Sequence, residues 1–331
     1  MRTIGITGGA GFIGFYLAKF LSQKKGYKII IVDNLIRSNQ NKRLIKKIKN
    51  IQFLKTDVRD LNKLTKNLSN CDFVIHLAAI NGTDNFYKIP YEVIDVASKG
   101  IINVVSACKI NKIKNLLVAS SSEVYNNPLR VPTNECVPLI IPDIINPRFS
   151  YSAGKIFSEL YSLHYASKFI KRVIIFRPHN VYGPNMGKKH VIPEIIMKLL
   201  IAKNNKNNKK NIIQIKGNGK QIRSFIFIDD FLKAVEILIL KGKTGVYNIG
   251  NTEPVSIIKL ISIITDKLNI KSKISNLTKP KGDVDKRIPD IKKIKELGFK
   301  NKINLSKGLD ITLSWYLNNY KHLKKEKNNL I

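Results

Sequence analysis

Cysteine is scarce. Cys71, Cys108 and Cys136 are the only 3 in 331 residues, an odd number at wide spacing that gives neither a disulfide framework nor zinc-ligand spacing. A reducing, cytoplasmic setting fits that usage. No apolar run reaches the roughly 18–20 residues a membrane span needs, because runs such as Ile29 to Val32 and Val235 to Leu240 end at charges or turns. The first residues hold one Arg and pass straight into Ile4 to Ile6, without the apolar core of a signal peptide, so neither export nor a membrane partner is expected.

Acidic residues are few as well, 23 against 58 Lys+Arg, for a formal net charge of +35. Such a balance attracts phosphate polymers. Here, however, the excess is mostly Lys scattered among Asn and Ile, as in Lys203 to Lys210, and Arg, the better phosphate fork, is rare. The charge reads as a solvated surface that also draws in anionic substrates, and no nucleic-acid partner is expected. No internal repeat interrupts the chain.

The chain is 44% hydrophobic, enough to bury a large core and to exclude a disordered or fibrous reading. Its first half alternates short β-branched runs (Thr3 to Thr7, Lys28 to Asp33, Ile51 to Lys55, Phe73 to Leu77, Asn115 to Ser120) with longer amphipathic segments. That alternation predicts βαβ units, and so an α/β fold of Rossmann type: a doubly wound parallel sheet with helices on both faces. A further helix is expected over Tyr151 to Phe169 and a sixth strand over Arg172 to Phe176. After Arg177 the pattern loosens, with breaks at Pro178, Pro184 and Pro193 and a loop expected at Lys203 to Asn211. The organisation expected is a dinucleotide-binding domain over 1–177, to which a segment around 225–250 returns. A smaller substrate-binding lobe covers 178–320 and a polar tail 321–331.

Between the first strand and the first helix stands Thr7-Gly8-Gly9-Ala10-Gly11-Phe12-Ile13-Gly14. Glycines there permit a tight turn and close backbone approach to a pyrophosphate, and the helix N-terminus aims its partial positive charge at that group. Asp33 closes the second strand at the distance where an acid receives the ribose hydroxyls. It also repels a 2′-phosphate, so NAD is favoured over NADP. Further on, Tyr151-Ser152-Ala153-Gly154-Lys155 puts a phenol and an ammonium four residues apart, on one helical face. An ammonium there stabilises the phenolate, and a Tyr near ionisation can take a proton from a sugar hydroxyl while hydride leaves the carbinol carbon.

With both motifs in one chain, the sequence resembles the extended short-chain dehydrogenase/reductase family, and within it the nucleotide-sugar epimerases, dehydratases and decarboxylases. The resemblance runs from Arg2 to about Tyr316. It includes Asp57-Val58, His76-Leu77-Ala78-Ala79, Ser120-Ser121-Ser122-Glu123-Val124-Tyr125, Arg177-Pro178-His179-Asn180-Val181-Tyr182-Gly183-Pro184, Arg223-Ser224-Phe225 and Arg287-Ile288-Pro289-Asp290. It implies Tyr151 as base, Lys155 as its tuning partner and a ribose ligand, and Ser121 as a hydrogen-bond partner of the reacting hydroxyl. Gly8, Gly11, Phe12, Ile13, Gly14, Asp33, Asp57, Val58, Leu77, Ala78, Ala79, Tyr151, Lys155 and Pro178 would surround the cofactor. Asn180, Val191, Arg223 and Arg287 would bind the substrate, with a diphosphate gripped by Asn180 and the two arginines. No metal is implied. A homodimer is, through the helices around Asp95 to Lys109 and Tyr151 to Phe169.

Which reaction follows oxidation turns on Glu123. By resemblance, simple 4-epimerases place a small or hydroxyl residue there. The 4,6-dehydratases carry an Asp-Glu pair, whose Asp is here replaced by Ser122. Ser-Glu with a later Arg looks most like UDP-glucuronate decarboxylase, in which oxidation at C4 creates a β-keto acid. A UDP-hexose 4-epimerase, a dehydratase using a different acid, and an NAD-binding regulator without catalysis remain as alternatives. Ala97 departs from the family's usual Asn, and Asn81 to Tyr87 matches no substrate-binding pattern.

Overall fold

A computed structural model describes residues 1–36, 44–203, 212–270, 272–278, 282 and 284–325. Six strands, β1 (Arg2–Thr7), β2 (Tyr27–Asp33), β3 (Ile51–Lys55), β4 (Phe73–His76), β5 (Asn115–Ala119) and β6 (Arg172–Pro178), join a seventh, Gly245–Ile249, in one sheet. Every pairing in it is parallel. Its order is Gly245–Ile249, β6, β5, β4, β1, β2, β3, so the winding direction reverses between β1 and β4. That reversal opens a crevice at the carboxyl ends of those two strands, where ligands of such sheets bind.

The Ile- and Val-rich runs make this sheet because both of its faces are covered. Ile29, Ile31, Ile4 and Ile6 pack on one side with Leu17 and Leu21 of helix α1 (Phe12–Ser22) and with Phe231 and Leu238 of the helix Ile228–Lys241. On the other side Ile30, Val32, Val74 and Val118 pack with Leu64 of the helix Leu61–Asn67 and with Ile101, Val104 and Val105 of the helix Pro90–Ile110. Pro90–Ile110 also lies against the helix Ser150–Leu160. A Cβ on Gly154 would come within 2.6 Å of the Ala97 Cβ, so the small side chain at position 97 belongs to a tight helix crossing.

Beyond β6 the chain builds small paired strands. Ile222–Arg223 pairs antiparallel with Val255–Ser256 and parallel with Lys286–Arg287, and Lys273–Leu277 pairs with Ile212–Lys216. These short pairings bring Arg223 opposite Arg287.

Three expectations need adjusting. The helix expected from Tyr151 to Phe169 starts at Ser150 and is α-helical only to Leu160, then continues as a π turn (Tyr161–Tyr165) and a 3₁₀ turn (Ala166–Lys168). Lys321 to Lys325 are helical, because the helix Leu305–Lys325 buries Leu309, Thr312, Leu313, Tyr316 and Leu323 at helical spacing. The remainder of the expected tail lies outside the described residues. Lys203 closes the helix Val191–Lys203, and the rest of the loop expected to Asn211 also lies outside them. Among the described residues no helix is long and apolar enough to cross a membrane, and no group of three or more His, Cys, Asp or Glu side chains is placed to hold a metal.

Candidate active site

The glycine turn after β1 is shaped by what it excludes. Gly8 has φ 69°, and a Cβ on it would sit 2.7 Å from the backbone nitrogen of Ala78. One on Gly14 would sit 2.6 Å from the Cα of Gly9. Backbone therefore meets backbone here, leaving a bare cradle at the start of α1. That helix begins at Gly11 with no side-chain cap and no acid in its first turn, so its positive end is not neutralised locally. Asp33, at the end of β2, stands beside this turn and accepts hydrogen bonds from the amides of Ala10 (3.0 Å) and Leu35 (2.7 Å). Asp57 follows β3, accepts from Asn34 Nδ2 at 2.9 Å and pairs with Arg59 at 2.9 Å. The Arg59 hydrogen bond holds the Asp57 carboxyl well below the usual carboxylate range. Val58 is buried, and Leu77 to Ala79 continue from β4 against Gly8. The cradle, the uncapped helix end and the acid on the second strand fit a dinucleotide with free ribose hydroxyls.

Tyr151 and Lys155 share the inward face of the helix Ser150–Leu160, 6% and 3% exposed. Lys155 Nζ donates to the Ala119 carbonyl at 2.7 Å and lies 5.8 Å from the centre of the Tyr151 ring. Burial lowers the Lys155 pKa to about 8. The Phe86 ring stacks on Tyr151, 5.0 Å between centroids and 12° from parallel. Phe86 belongs to the helix Thr83–Lys88, so the segment without a recognisable pattern holds the Tyr151 ring. Ser121 caps the 3₁₀ turn Ser122–Tyr125, its Oγ accepting from the Glu123 amide at 3.1 Å. Ser122 is buried.

Next to this group lies a cleft of about 530 Å³. Glu123, Asn180, Val191, Arg223 and Arg287 all line it, together with Arg148. Glu123 Oε1 meets Arg287 Nη1 at 2.5 Å, and its Oε2 lies 3.5 Å from Arg148 Nη2. Burial alone would raise the Glu123 pKa, but the charges of Arg287 and Arg148 outweigh it and hold the carboxyl below its ordinary range. Arg287 is 6% exposed, and its Nε and Nη2 have no hydrogen-bond partner among the described residues. Asn180 adopts φ 43° and donates to the Ser224 carbonyl at 2.9 Å. Arg223 Nη1 donates to the carbonyls of Ile222 (2.9 Å) and Asp285 (3.3 Å).

Arg177 opens the segment expected to touch ligand, but it is buried in a fork with Glu159, Nε to Oε1 2.8 Å and Nη2 to Oε2 2.6 Å, and donates to the Tyr125 hydroxyl at 2.7 Å. An acid four residues beyond Lys155 takes up its guanidinium. His179 is packed as well: it is buried, 3.2 Å from Asn248 Oδ1, and burial pushes its pKa down to about 3. His190 lines the cleft. Sequence reading missed Arg148, Phe86, Thr83 and Asp84. Of these only Arg148 carries a signal, as one of the rare arginines, three residues before Tyr151.

A Rossmann sheet with a bare glycine cradle, an acid at the end of its second strand and a Tyr–Lys pair on a buried helix defines an NAD-binding enzyme of the short-chain dehydrogenase/reductase kind. More narrowly, the model of the NAD dependent epimerase/dehydratase family matches residues 4–250, and the chain belongs to that family. It is 34% identical over 296 residues to dTDP-D-glucose 4,6-dehydratase of Dictyostelium discoideum, a match spanning 84% of this chain and 62% of that protein. Against the putative UDP-glucose 4-epimerase of Methanocaldococcus jannaschii it is 31% identical over 319 residues, 95% of this chain and 98% of the other. Among solved structures it is similar to UDP-glucose 4-epimerase from Thermotoga maritima with UDP-glucose: TM-score 0.85, 25% identity, 96% of this chain and 100% of that one.

Proposed function

We propose that the enzyme binds a UDP-linked sugar, oxidises it transiently at C4, and decarboxylates it at C6, as a UDP-glucuronate decarboxylase does. The observation that carries this reading is the convergence of two guanidiniums, Arg287 and Arg148, on the single carboxylate of Glu123 in the cleft wall. Two positive charges facing one negative one leave room for a second carboxylate, and guanidiniums suit carboxylates in planar, charge-assisted pairs.

In this account the domain over 1–177, with 225–250, holds the cofactor, and 178–320 chiefly holds the nucleotide sugar. Asp33 receives the ribose hydroxyls and the start of α1 the pyrophosphate; Gly8, Gly11, Phe12, Ile13, Gly14, Asp57, Val58, Leu77, Ala78, Ala79 and Pro178 complete that wall. Asn180 and Arg223 hold the diphosphate, Arg287, which the resemblance also assigned to it, instead faces the sugar carboxylate beside its partner Glu123, and Val191 packs on the nucleotide. Bound NAD would supply reversible hydride transfer at C4. Tyr151 takes the C4 hydroxyl proton, Lys155 stabilises the phenolate and Ser121 holds the C4 oxygen. With C4 a ketone, the C5–C6 bond breaks, carbon dioxide leaves, and its electron pair passes into a C4–C5 enolate. Tyr151 and Ser121 donate hydrogen bonds to that enolate oxygen, and a proton then adds at C5. Products are a UDP-pentose and carbon dioxide. A homodimer in the cytoplasm completes the proposal.

The Dictyostelium relative favours a second reading, 4,6-dehydration. Against it, the position of the missing acid is a buried Ser122, and Glu123 is held anionic by two arginines, which makes it a poor proton donor. Incubation with NAD and UDP-glucuronate, UDP-glucose, UDP-N-acetylglucosamine or dTDP-glucose, followed by mass and NMR analysis, separates the cases. Loss of carbon dioxide from UDP-glucuronate is expected. Loss of water would establish the dehydratase, and unchanged mass with inverted C4 an epimerase.

A further inference from the structure

Behind the Glu123–Arg287 pair lies a buried polar chain that touches no part of the cleft. Tyr125, two residues after Glu123 on the same 3₁₀ turn, donates its hydroxyl proton to Asn248 Oδ1 at 2.8 Å. Asn248 Nδ2 donates in turn to the carbonyls of Asp290 (3.1 Å) and Thr133 (3.0 Å). Thr133 is itself stitched to the Arg287 segment: its amide donates to the Ile288 carbonyl at 2.9 Å, and its carbonyl accepts from the Asp290 amide at 2.8 Å. One amide side chain therefore anchors both the turn carrying Glu123 and the segment carrying Arg287. The two lie 164 residues apart in sequence.

The anchor is rigid. Asn248 sits in the strand Gly245–Ile249, in register with Arg177 of β6, and is 0% exposed. Its amide donates to Glu135 Oε1 at 2.8 Å. Among the described residues no backbone hydrogen bond crosses the gap between the Glu123 turn and the Arg287 segment, so their spacing depends on what holds each from behind. An ion pair tolerates little error here: a guanidinium displaced by about 1 Å loses its directed hydrogen bond, since these bonds weaken steeply outside their short range.

We propose that Asn248, through Tyr125 on one side and Asp290 and Thr133 on the other, is a positioning residue that sets the spacing of the Glu123–Arg287 pair. This rests on the reading that Glu123 and Arg287 serve the step after oxidation. It separates two functions in one site: Tyr151 and Lys155 are held by their helix, whereas the Glu123–Arg287 pair is held by the Asn248 anchor. Loss of the anchor disturbs the second step and spares the first.

The test uses Tyr125→Phe and Asn248→Ala in the full chain. Tyr125→Phe is the gentler change, because Arg177 keeps its Glu159 fork and Asn248 keeps its two carbonyl acceptors, so it covers the case in which Asn248→Ala fails to fold. Two readouts are taken. The first is the titration of Glu123, followed by carbon-13 NMR of labelled glutamate. In the wild type Arg287, Arg148 and Arg223 face this carboxyl, and a loosened pair should raise the midpoint by about one pH unit, a tenfold change in proton affinity. The second is a single turnover with UDP-glucuronate and NAD. Formation of reduced cofactor should proceed within about twofold of wild type, while carbon dioxide release slows by about tenfold or more, the loss expected of a misplaced charge-assisted hydrogen bond. In a Glu123→Gln background the same variants should add little, because there is no pair left to position. An unmoved Glu123 midpoint in folded variants, or an equal fall of both steps, overturns the proposal. If wild type oxidises no uronate, the decarboxylase reading fails, and the titration still decides the positioning role.

Discussion

Arg148 and Arg287 divide their charge over one carboxylate, and that division sets what single substitutions should do. Arg148→Met should lower kcat/KM for UDP-glucuronate by about 10–100-fold, the worth of one charged hydrogen bond, and should affect a neutral UDP-hexose less; comparison of the two substrates checks it. Tyr151→Phe removes the proposed base and should cost about 10²–10⁴-fold in turnover, with NAD affinity, measured by fluorescence titration, nearly intact. Lys155 gives a pH signature. Its pKa is lowered from 10.5 to about 8 by burial, so between those values the unfolded chain holds a proton that the folded chain lacks. Stability of the NAD-free protein should therefore rise as pH increases from about 8 to 10.5, by on the order of 3 kcal/mol. Below pH 8 both states are protonated and the whole burial cost is present. Denaturant melts of wild type against Lys155→Met check this, and a wild-type slope no different from the variant's would contradict it.

At the scale of elements, the glycine turn shows why some of the site was legible and some was not. Gly8, Gly14 and Asp33 form a local pattern: the two glycines sit where backbone meets backbone, and Asp33 at the end of β2 accepts from the turn at Ala10, so β1, α1 and β2 meet at one turn. Gly14→Ala puts a methyl group into the Gly9 backbone. It should abolish measurable NAD binding, or bring the melting temperature down by several degrees through the displaced turn; unchanged affinity in a folded variant would contradict the cradle's role. Arg148 and Phe86 were not legible, because their placement depends on loops that meet only after folding. Phe86 reaches Tyr151 from 65 residues upstream through a helix of 6 residues that no periodicity announces. The inward turn of Arg177 was not legible for the same reason. Its segment does approach the cleft at Asn180, yet the guanidinium turns inward to Glu159, a partner that sequence spacing does not reveal.

Across the whole molecule, the parallel sheet supplies one rigid frame from which two adjacent tasks are run. The carboxyl ends of β1, β2 and β4 present the cofactor cradle, and the short pairings beyond β6 bring Arg223 and Arg287 to the cleft from far along the chain. The net charge of +35 surrounds this frame and biases it toward anionic ligands without specifying one. In the proposed function, specification lies in the few buried guanidiniums, which accommodate a sugar carboxylate that is then lost. UDP-glucuronate labelled with carbon-13 at C6, incubated with the enzyme and NAD, tests that claim most directly. The account predicts that the label leaves as carbon dioxide while the cofactor is neither consumed nor accumulated in reduced form. Label that stays in the sugar, with the nucleotide sugar otherwise converted, would contradict it.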